Sequence, residues 1–193
     1  MRFAPAIFAC VLLVLTGTSV AASRPAPLPG DSIYQLPMAL TDQHGKRWDW
    51  GSKRGQPQVV AMFYTSCQFT CPLIVDSGKA IEHALSPAER QRLGLLLISI
   101  DPKRDTPAAL MHVAKERSLD GTRWSLASPD AKSVRAAAGA LGVRYRQLAN
   151  GDFNHTSGLL LLDRDGRIVA RTDHVGTVAD PAFVDAVRHA LLP

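Results

Sequence analysis

Two cysteines, Cys67 and Cys71, lie close together in the sequence Cys-Gln-Phe-Thr-Cys, directly before Pro72. The apolar residues 59–64 that precede them predict a buried strand, and the residues after Pro72 predict a helix. Between a strand and a helix N-terminus, the helix dipole and the free N–H groups of the first turn stabilise thiolates. Thiolates attack disulfides and bind soft metals, so the pair indicates redox or metal chemistry.

His155 is the leading candidate for a third ligand, because it lies in a polar loop, residues 151–157, that enters a predicted buried strand. Two thiolates and one imidazole form a soft donor set that suits Cu(I) and can hold Cu(II) or zinc. A single loop histidine is more often solvated than bound to metal, so His155 by itself does not establish a site. His174 is a weaker candidate. The remaining histidines are expected at the surface: His44, His83, His112 and His189.

Two carboxylates, Asp101 and Asp105, flank a turn that follows a second predicted buried strand, residues 95–100. One interpretation is ordinary turn and cap chemistry, in which Thr106 caps a helix that starts at Pro107. The other is that these carboxylates orient a ligand or tune the charge of the thiolates. Arg104 between them is expected to be solvated.

Strands alternate with helices along the chain, which predicts one α/β domain around a mixed sheet. Residues 32–50 and 157–171 predict two hairpins, with turns at 42–45 and 163–166. The predicted helices are residues 72–85, a short one from 87, 107–118, 129–141 with Gly142 as the stop, and 180–192. The cysteine, aspartate and histidine segments all fall at or beside strand ends, where α/β sheets form their sites.

The N-terminus predicts a targeting segment. Residues 1–22 combine Arg2, a short apolar run and small residues, which favours a cleaved signal peptide over a retained anchor. Residues 23–30 form a Pro-rich linker, and residues 31–193 form the predicted domain.

Cleavage would remove Cys10 and leave Cys67 and Cys71 as the cysteines of the exported chain. A disulfide across so short a loop stabilises by only about 2 kcal/mol, so a purely structural staple is a weak alternative. The net charge of +5 is scattered along the sequence without a basic stripe. This pattern argues against a nucleic-acid partner.

Residues 63–72, which contain both cysteines, resemble the signature of the SCO (SCO1/SenC) family. Residues 99–107 are similar to a second block of that family, and residues 154–166 resemble the third, which contains the family's histidine ligand. The three blocks occur in the family's order.

The resemblance implies a thioredoxin-like fold, here a central mixed sheet flanked by helices with an N-terminal β-hairpin. It implies copper binding through Cys67, Cys71 and His155. It also implies a role in assembly of the CuA centre of cytochrome c oxidase, as copper donor, as thiol reductant of that site, or both. The expected partners are the CuA-bearing oxidase subunit and an upstream copper donor or thiol reductant. The expected location is exported, in the periplasm of a bacterium, with membrane contact only if the N-terminal segment is retained.

The main alternative is a thiol–disulfide oxidoreductase in which Cys67 and Cys71 are a redox-active pair acting on a partner. Thioredoxin-like oxidoreductases separate their cysteines by two residues, whereas three lie between them here, and disulfide exchange has no need of His155. Metal content after purification under reducing conditions would separate the two hypotheses. A peroxide-reducing enzyme and a non-enzymatic interaction module are weaker alternatives.

Overall fold

The structure is a computed structural model that describes residues 26–67 and 70–192. The predicted signal peptide at residues 1–22 and the start of the predicted linker lie outside the described residues. None of the helices in the described part is long and apolar enough to cross a membrane.

A seven-stranded mixed sheet forms the centre of the fold. Its strands are β1 (Ala39–Asp42), β2 (Arg47–Asp49), β3 (Gln58–Phe63), β4 (Gly94–Ser99), β5 (Trp124–Pro129), β8 (Leu159–Leu162) and β9 (Ile168–Thr172). They lie in the order β2-β1-β5-β4-β3-β8-β9. The inner strands β3, β4 and β5 run parallel, and the pairs at both sides are antiparallel.

Every residue of β3, β4 and β8 is buried, which explains their unbroken apolar sequences. The predicted mixed sheet and the N-terminal β1–β2 hairpin are therefore confirmed. The first strand is shorter than predicted, because residues Ile33–Gln35 form a 3₁₀ turn whose cap, Ser32, accepts a hydrogen bond from the backbone N–H of Tyr34.

The helices are α1 (Thr70–Ala84), α2 (Pro87–Arg90), α3 (Pro107–Glu116), α4 (Val134–Ala140) and α5 (Pro181–Ala190). Thr106 caps α3 as predicted, accepting a hydrogen bond from the N–H of Ala109 at 3.3 Å. The helix predicted from residue 129 begins later, because Pro129 pairs with Leu40 as the last residue of β5. Gly142, with a φ of 63°, follows α4 as the predicted stop.

Helix α1, which contains Cys71, packs closely on the sheet through Gly78. A Cβ at this position would lie 2.3 Å from Cη2 of Trp124, so only glycine permits this approach. The Nε1–H of Trp124 donates to the carboxylate of Glu82 at 2.8 Å, and Arg123 pairs with the same carboxylate at 2.7 Å. These contacts fix the helix, and with it the thiol of Cys71, relative to the strands.

A second, two-stranded sheet consists of β6 (Tyr145–Gln147) and β7 (Phe153–His155). The sequence predicted a loop here, and that prediction is wrong for β7: His155 is its last residue and pairs with Tyr145. The strands are three residues each and half exposed, too short to show the alternation of polar and apolar residues by which a strand is recognised.

Candidate metal and thiol site

The two thiols lie next to each other at the junction of β3 and α1. Cys67 is half-buried, whereas Cys71, in the first turn of α1, is 5% exposed. The backbone N–H of Cys71 donates to Sγ of Cys67 at 3.4 Å, and the N–H of Tyr64 donates to Sγ of Cys71 at 3.4 Å. The strand end and the helix start therefore place the pair together, as the sequence predicted.

The two thiols differ in their surroundings. Burial raises the pKa of Cys71 well above its ordinary value, and the N–H of Tyr64 offsets this only in part. Burial therefore disfavours the thiolate of Cys71, contrary to the expectation from its place in the first turn of a helix.

His155 has one ring nitrogen engaged and the other unpartnered. Its Nδ1 lies 3.0 Å from the carbonyl oxygen of Thr156, which favours the tautomer with the proton on Nδ1. Its Nε2 is buried and has no hydrogen-bond partner among the described residues. Burial lowers the pKa of His155 below 6.5, so the neutral ring presents an Nε2 lone pair.

Tyr64 lies between the thiols and His155. Its ring contacts the rings of Phe153 and His155 edge-on, with centroid distances of 5.5 Å and 5.9 Å. Its hydroxyl donates to the carbonyl oxygen of Phe153 at 3.1 Å and lies beside Cys67, which adds to the rise in the pKa of Tyr64. Burial is the main cause that raises the pKa of Tyr64 to about 12. Tyr64 was not among the predicted site residues, although an aromatic residue with a polar tip at the end of a core strand beside a thiol is a usable signal.

The predicted ligands line two different cavities. Cys67, Cys71 and Tyr64 line one of about 180 Å³, and His155 lines another of about 300 Å³ together with Arg144 and Asn154. Within residues 26–67 and 70–192, no three histidine, cysteine or acidic side chains are grouped closely enough to hold a metal ion. That Cys67, Cys71 and His155 bind one ion together stays a prediction. Tyr64 lies between the two thiols and His155.

Asp105 anchors the segment that contains the cysteines. It is 1% exposed, and its Oδ1 accepts hydrogen bonds from the backbone N–H and the hydroxyl of Thr65, at 3.1 Å and 2.5 Å. Its Oδ2 accepts from the hydroxyl of Ser99 at 2.5 Å. Burial raises the pKa of Asp105, and these hydrogen bonds oppose the shift. Asp105 thus holds the backbone two residues before Cys67.

Asp101 is also buried and forms an ion pair with Arg104. Arg104 is exposed, as expected, but its guanidinium also contacts the β6–β7 hairpin. Its Nη2 donates to the carbonyl oxygen of Gly151 at 2.6 Å, and its guanidinium lies 6.0 Å from the ring centroid of Phe153. The turn between Asp101 and Asp105 is therefore linked to the β6–β7 hairpin. The sequence did not predict this contact between distant segments.

The other histidines are exposed, including His174, the weaker candidate. They are His44, His83, His112, His174 and His189. His155 differs from them by burial and by its contact with Tyr64, so these two features distinguish it as the candidate ligand.

Comparison with known proteins identifies the fold and the family. The family model described as SCO1/SenC matches residues 28–190. An SCO2-like protein of Rickettsia typhi is 27% identical over 67% of this chain and 65% of its own length. The matched segment spans about half to two thirds of the length of the first curated relatives.

Solved structures agree. The structure of Bradyrhizobium japonicum ScoI with copper bound is 26% identical, has a TM-score of 0.63, and covers 80% of this chain and 97% of its own. A SCO1/SenC family lipoprotein from Bacillus anthracis, 18% identical with a TM-score of 0.69, covers 80% of this chain and 91% of its own and shows the fold alone. The α/β domain is therefore thioredoxin-like, with its central mixed sheet flanked by helices. With the family model matching most of its length, this chain belongs to the SCO1/SenC family.

Proposed function

We propose that this protein binds copper through Cys67, Cys71 and His155 and carries it to a client protein. The observation that carries the proposal is the buried, unpartnered Nε2 of His155. A buried nitrogen without a partner is costly, and it becomes useful when a ligand is to be accepted there. Because Nδ1 is already engaged by Thr156, Nε2 is the nitrogen left for a metal.

The donor set fits copper. Two thiolates suit Cu(I), and the addition of one imidazole makes the set suitable for Cu(II). The two thiols are adjacent, and one tyrosine ring lies between them and His155. A related protein, ScoI of Bradyrhizobium japonicum, has copper bound in its structure, which supports the same cargo here. Asp105 would hold the segment that bears Cys67, and Asp101 would hold Arg104 against the hairpin that bears His155.

The client in this proposal is the CuA-bearing subunit of cytochrome c oxidase. Family membership supports this role. The further partners in this proposal are an upstream copper donor or a thiol reductant. The protein is a carrier in this scheme rather than a turnover enzyme. Its thiols must be reduced before Cu(I) binds, so an oxidising compartment requires either a reductant or early loading.

The same proposal places the protein outside the cytoplasm, in the periplasm of a bacterium. The signal-like sequence of residues 1–22 supports export. The test is the mass of the protein recovered from the exported fraction, which should begin near Ala22 or Ser23. Recovery of a chain that retains Met1 in the membrane pellet would indicate an anchor instead.

The copper proposal is tested by titrating wild type, His155→Ala and Cys71→Ser with Cu(I) and with Cu(II). His155→Ala should weaken Cu(II) binding sharply and change its absorption spectrum, whereas Cu(I) binding should fall less because two thiolates remain. Cys71→Ser should abolish binding of both states. The matched control is His112→Ala, which removes an exposed imidazole from α3. Wild-type binding of both states by His155→Ala would refute the assignment of His155.

A second candidate function is thiol–disulfide exchange, and the asymmetry of the thiol pair favours it. Cys67 is the more accessible sulfur, and the buried Cys71 lies beside it as a resolving thiol. Cys67 would attack a client disulfide, and Cys71 would then release the reduced client, leaving a disulfide in this protein. His155→Ala should leave the rate of this exchange unchanged, so measuring both exchange and copper binding in that variant separates the two functions.

A further inference from the structure

The β6–β7 hairpin, residues 145–155, is separated in sequence from the thiols and must be held near them by tertiary contacts. Among the described residues, two side chains from outside the hairpin hydrogen-bond to its backbone. Arg104 bonds to Gly151 at the turn, and Tyr64 bonds to Phe153 in the strand that ends at His155. Tyr64 is therefore the contact close to the candidate ligand.

The Tyr64 hydroxyl makes two hydrogen bonds with the backbone of Phe153. It donates to the carbonyl oxygen of Phe153 at 3.1 Å and accepts from the N–H of the same residue at 3.4 Å. This arrangement fixes both the position and the direction of the strand, because both backbone polar groups of one residue are held by one oxygen atom. His155 lies two residues further along the same strand.

Tyr64 is also close to both thiols. Its backbone N–H donates to Sγ of Cys71, and its hydroxyl lies beside Cys67. The residue is 5% exposed, so its ring is confined by its neighbours and cannot turn away without opening the site. One residue thus links the thiol pair to the strand that contains His155.

We propose that Tyr64 is the positioning residue of the site, whose hydroxyl holds the β6–β7 hairpin, and with it His155, against the thiol-bearing end of β3. The consequence for copper rests on the proposed function, whereas the holding of the hairpin does not. Without the hydroxyl, Phe153 loses both bonds, the hairpin moves more freely, and His155 spends less time beside Cys67 and Cys71. Binding that depends on the imidazole should then suffer more than binding that depends on the thiols.

The test uses the full chain with Tyr64→Phe, which keeps the ring and removes the hydroxyl. In the metal-free protein, amide exchange at Phe153 should accelerate roughly 3- to 10-fold, the loss expected for about one neutral hydrogen bond. Cu(II) affinity should fall by a similar factor, and Cu(I) affinity should stay within about twofold of wild type. Tyr145→Phe is the matched control, because the Tyr145 hydroxyl, on the same hairpin, makes no hydrogen bond within the described part of the chain.

A double-mutant cycle separates positioning from general stability. In the His155→Ala background, Tyr64→Phe should have no further effect on Cu(II) affinity, because the ligand it positions is gone. An equal loss in both backgrounds would overturn the proposal, since the effect would then act through the thiols. Unchanged exchange at Phe153 would overturn it as well. If the wild-type protein binds no copper but Tyr64→Phe still accelerates exchange at Phe153, the positioning role is supported and the proposed copper function is refuted.

Discussion

Thr65 and Asp105, forty residues apart in sequence, are joined by two hydrogen bonds to one carboxylate oxygen, from the backbone N–H at 3.1 Å and from the hydroxyl at 2.5 Å. This pair connects the cysteine segment to the turn before α3. The other carboxylate oxygen accepts from Ser99 in β4, so one buried side chain fixes two strand ends. The cysteine segment is therefore anchored by a residue that does not itself touch a ligand in the proposed site.

Replacement of Asp105 by Ala should lower the free energy of unfolding by about 2 to 4 kcal/mol, because buried donors on Thr65 and Ser99 lose their acceptor. Asp105→Asn keeps the shape and one acceptor oxygen, so its effect should be smaller. Denaturant unfolding measures both. Asp49→Ala, at an exposed position whose carboxylate makes no cap bond, is the control and should change stability little. Equal stability of Asp105→Ala and Asp49→Ala would contradict this account.

Cys67 should react with iodoacetamide at least about tenfold faster than Cys71 in the native protein. Cys71 is buried and burial raises its pKa, so it offers little accessible thiolate, whereas Cys67 is half-buried. The measurement follows alkylation of Cys71→Ser and Cys67→Ser by mass of the peptide that contains the remaining thiol. In guanidinium, where both variants are unfolded, the rates should become similar. Equal native rates would show that Cys71 is more accessible than its environment indicates.

His155 should titrate below 6.5 in the metal-free protein, because burial lowers its pKa. The unfolded chain then binds more protons than the native one between the native pKa and about 6.5, so stability rises with pH across that window and is lost as pH falls through it. NMR titration checks the midpoint, with the signal assigned by its loss in His155→Gln. Denaturation of the same variant should lack this part of the pH dependence. A midpoint at or above 6.5 would contradict the burial of the ring.

Arg104→Ala should loosen the β6–β7 hairpin from its turn end. The change removes the bond to Gly151 and leaves the buried carboxylate of Asp101 without its partner, for an expected loss of about 1 to 3 kcal/mol of stability. Amide exchange in residues 145–155 should accelerate, and unfolding in denaturant should shift to lower concentration. Arg92→Ala, at another exposed arginine, is the control. Unchanged exchange in the hairpin would show that Arg104 does not hold it.

The sequence by itself determined the sheet centre, the cysteine pair and several helix boundaries. Strands β3, β4 and β8 were predictable because burial on both faces requires continuous apolar residues, a pattern that is local in sequence. The start of α3 was predictable because its signals are also local: Thr106 and Pro107 act on the turn in which they lie. The three blocks that resemble the SCO1/SenC family were also readable from the residues, and the family is confirmed.

Tertiary structure alone decided how the candidate site is assembled. The roles of Tyr64 and Arg104 depend on contacts with a hairpin 89 and 47 residues away in sequence, and no local pattern reports such contacts. The hairpin itself is short and half exposed, so its stability comes from those contacts rather than from its own sequence. The raised pKa of Cys71 likewise follows from burial by surrounding elements, which no local sequence pattern reports.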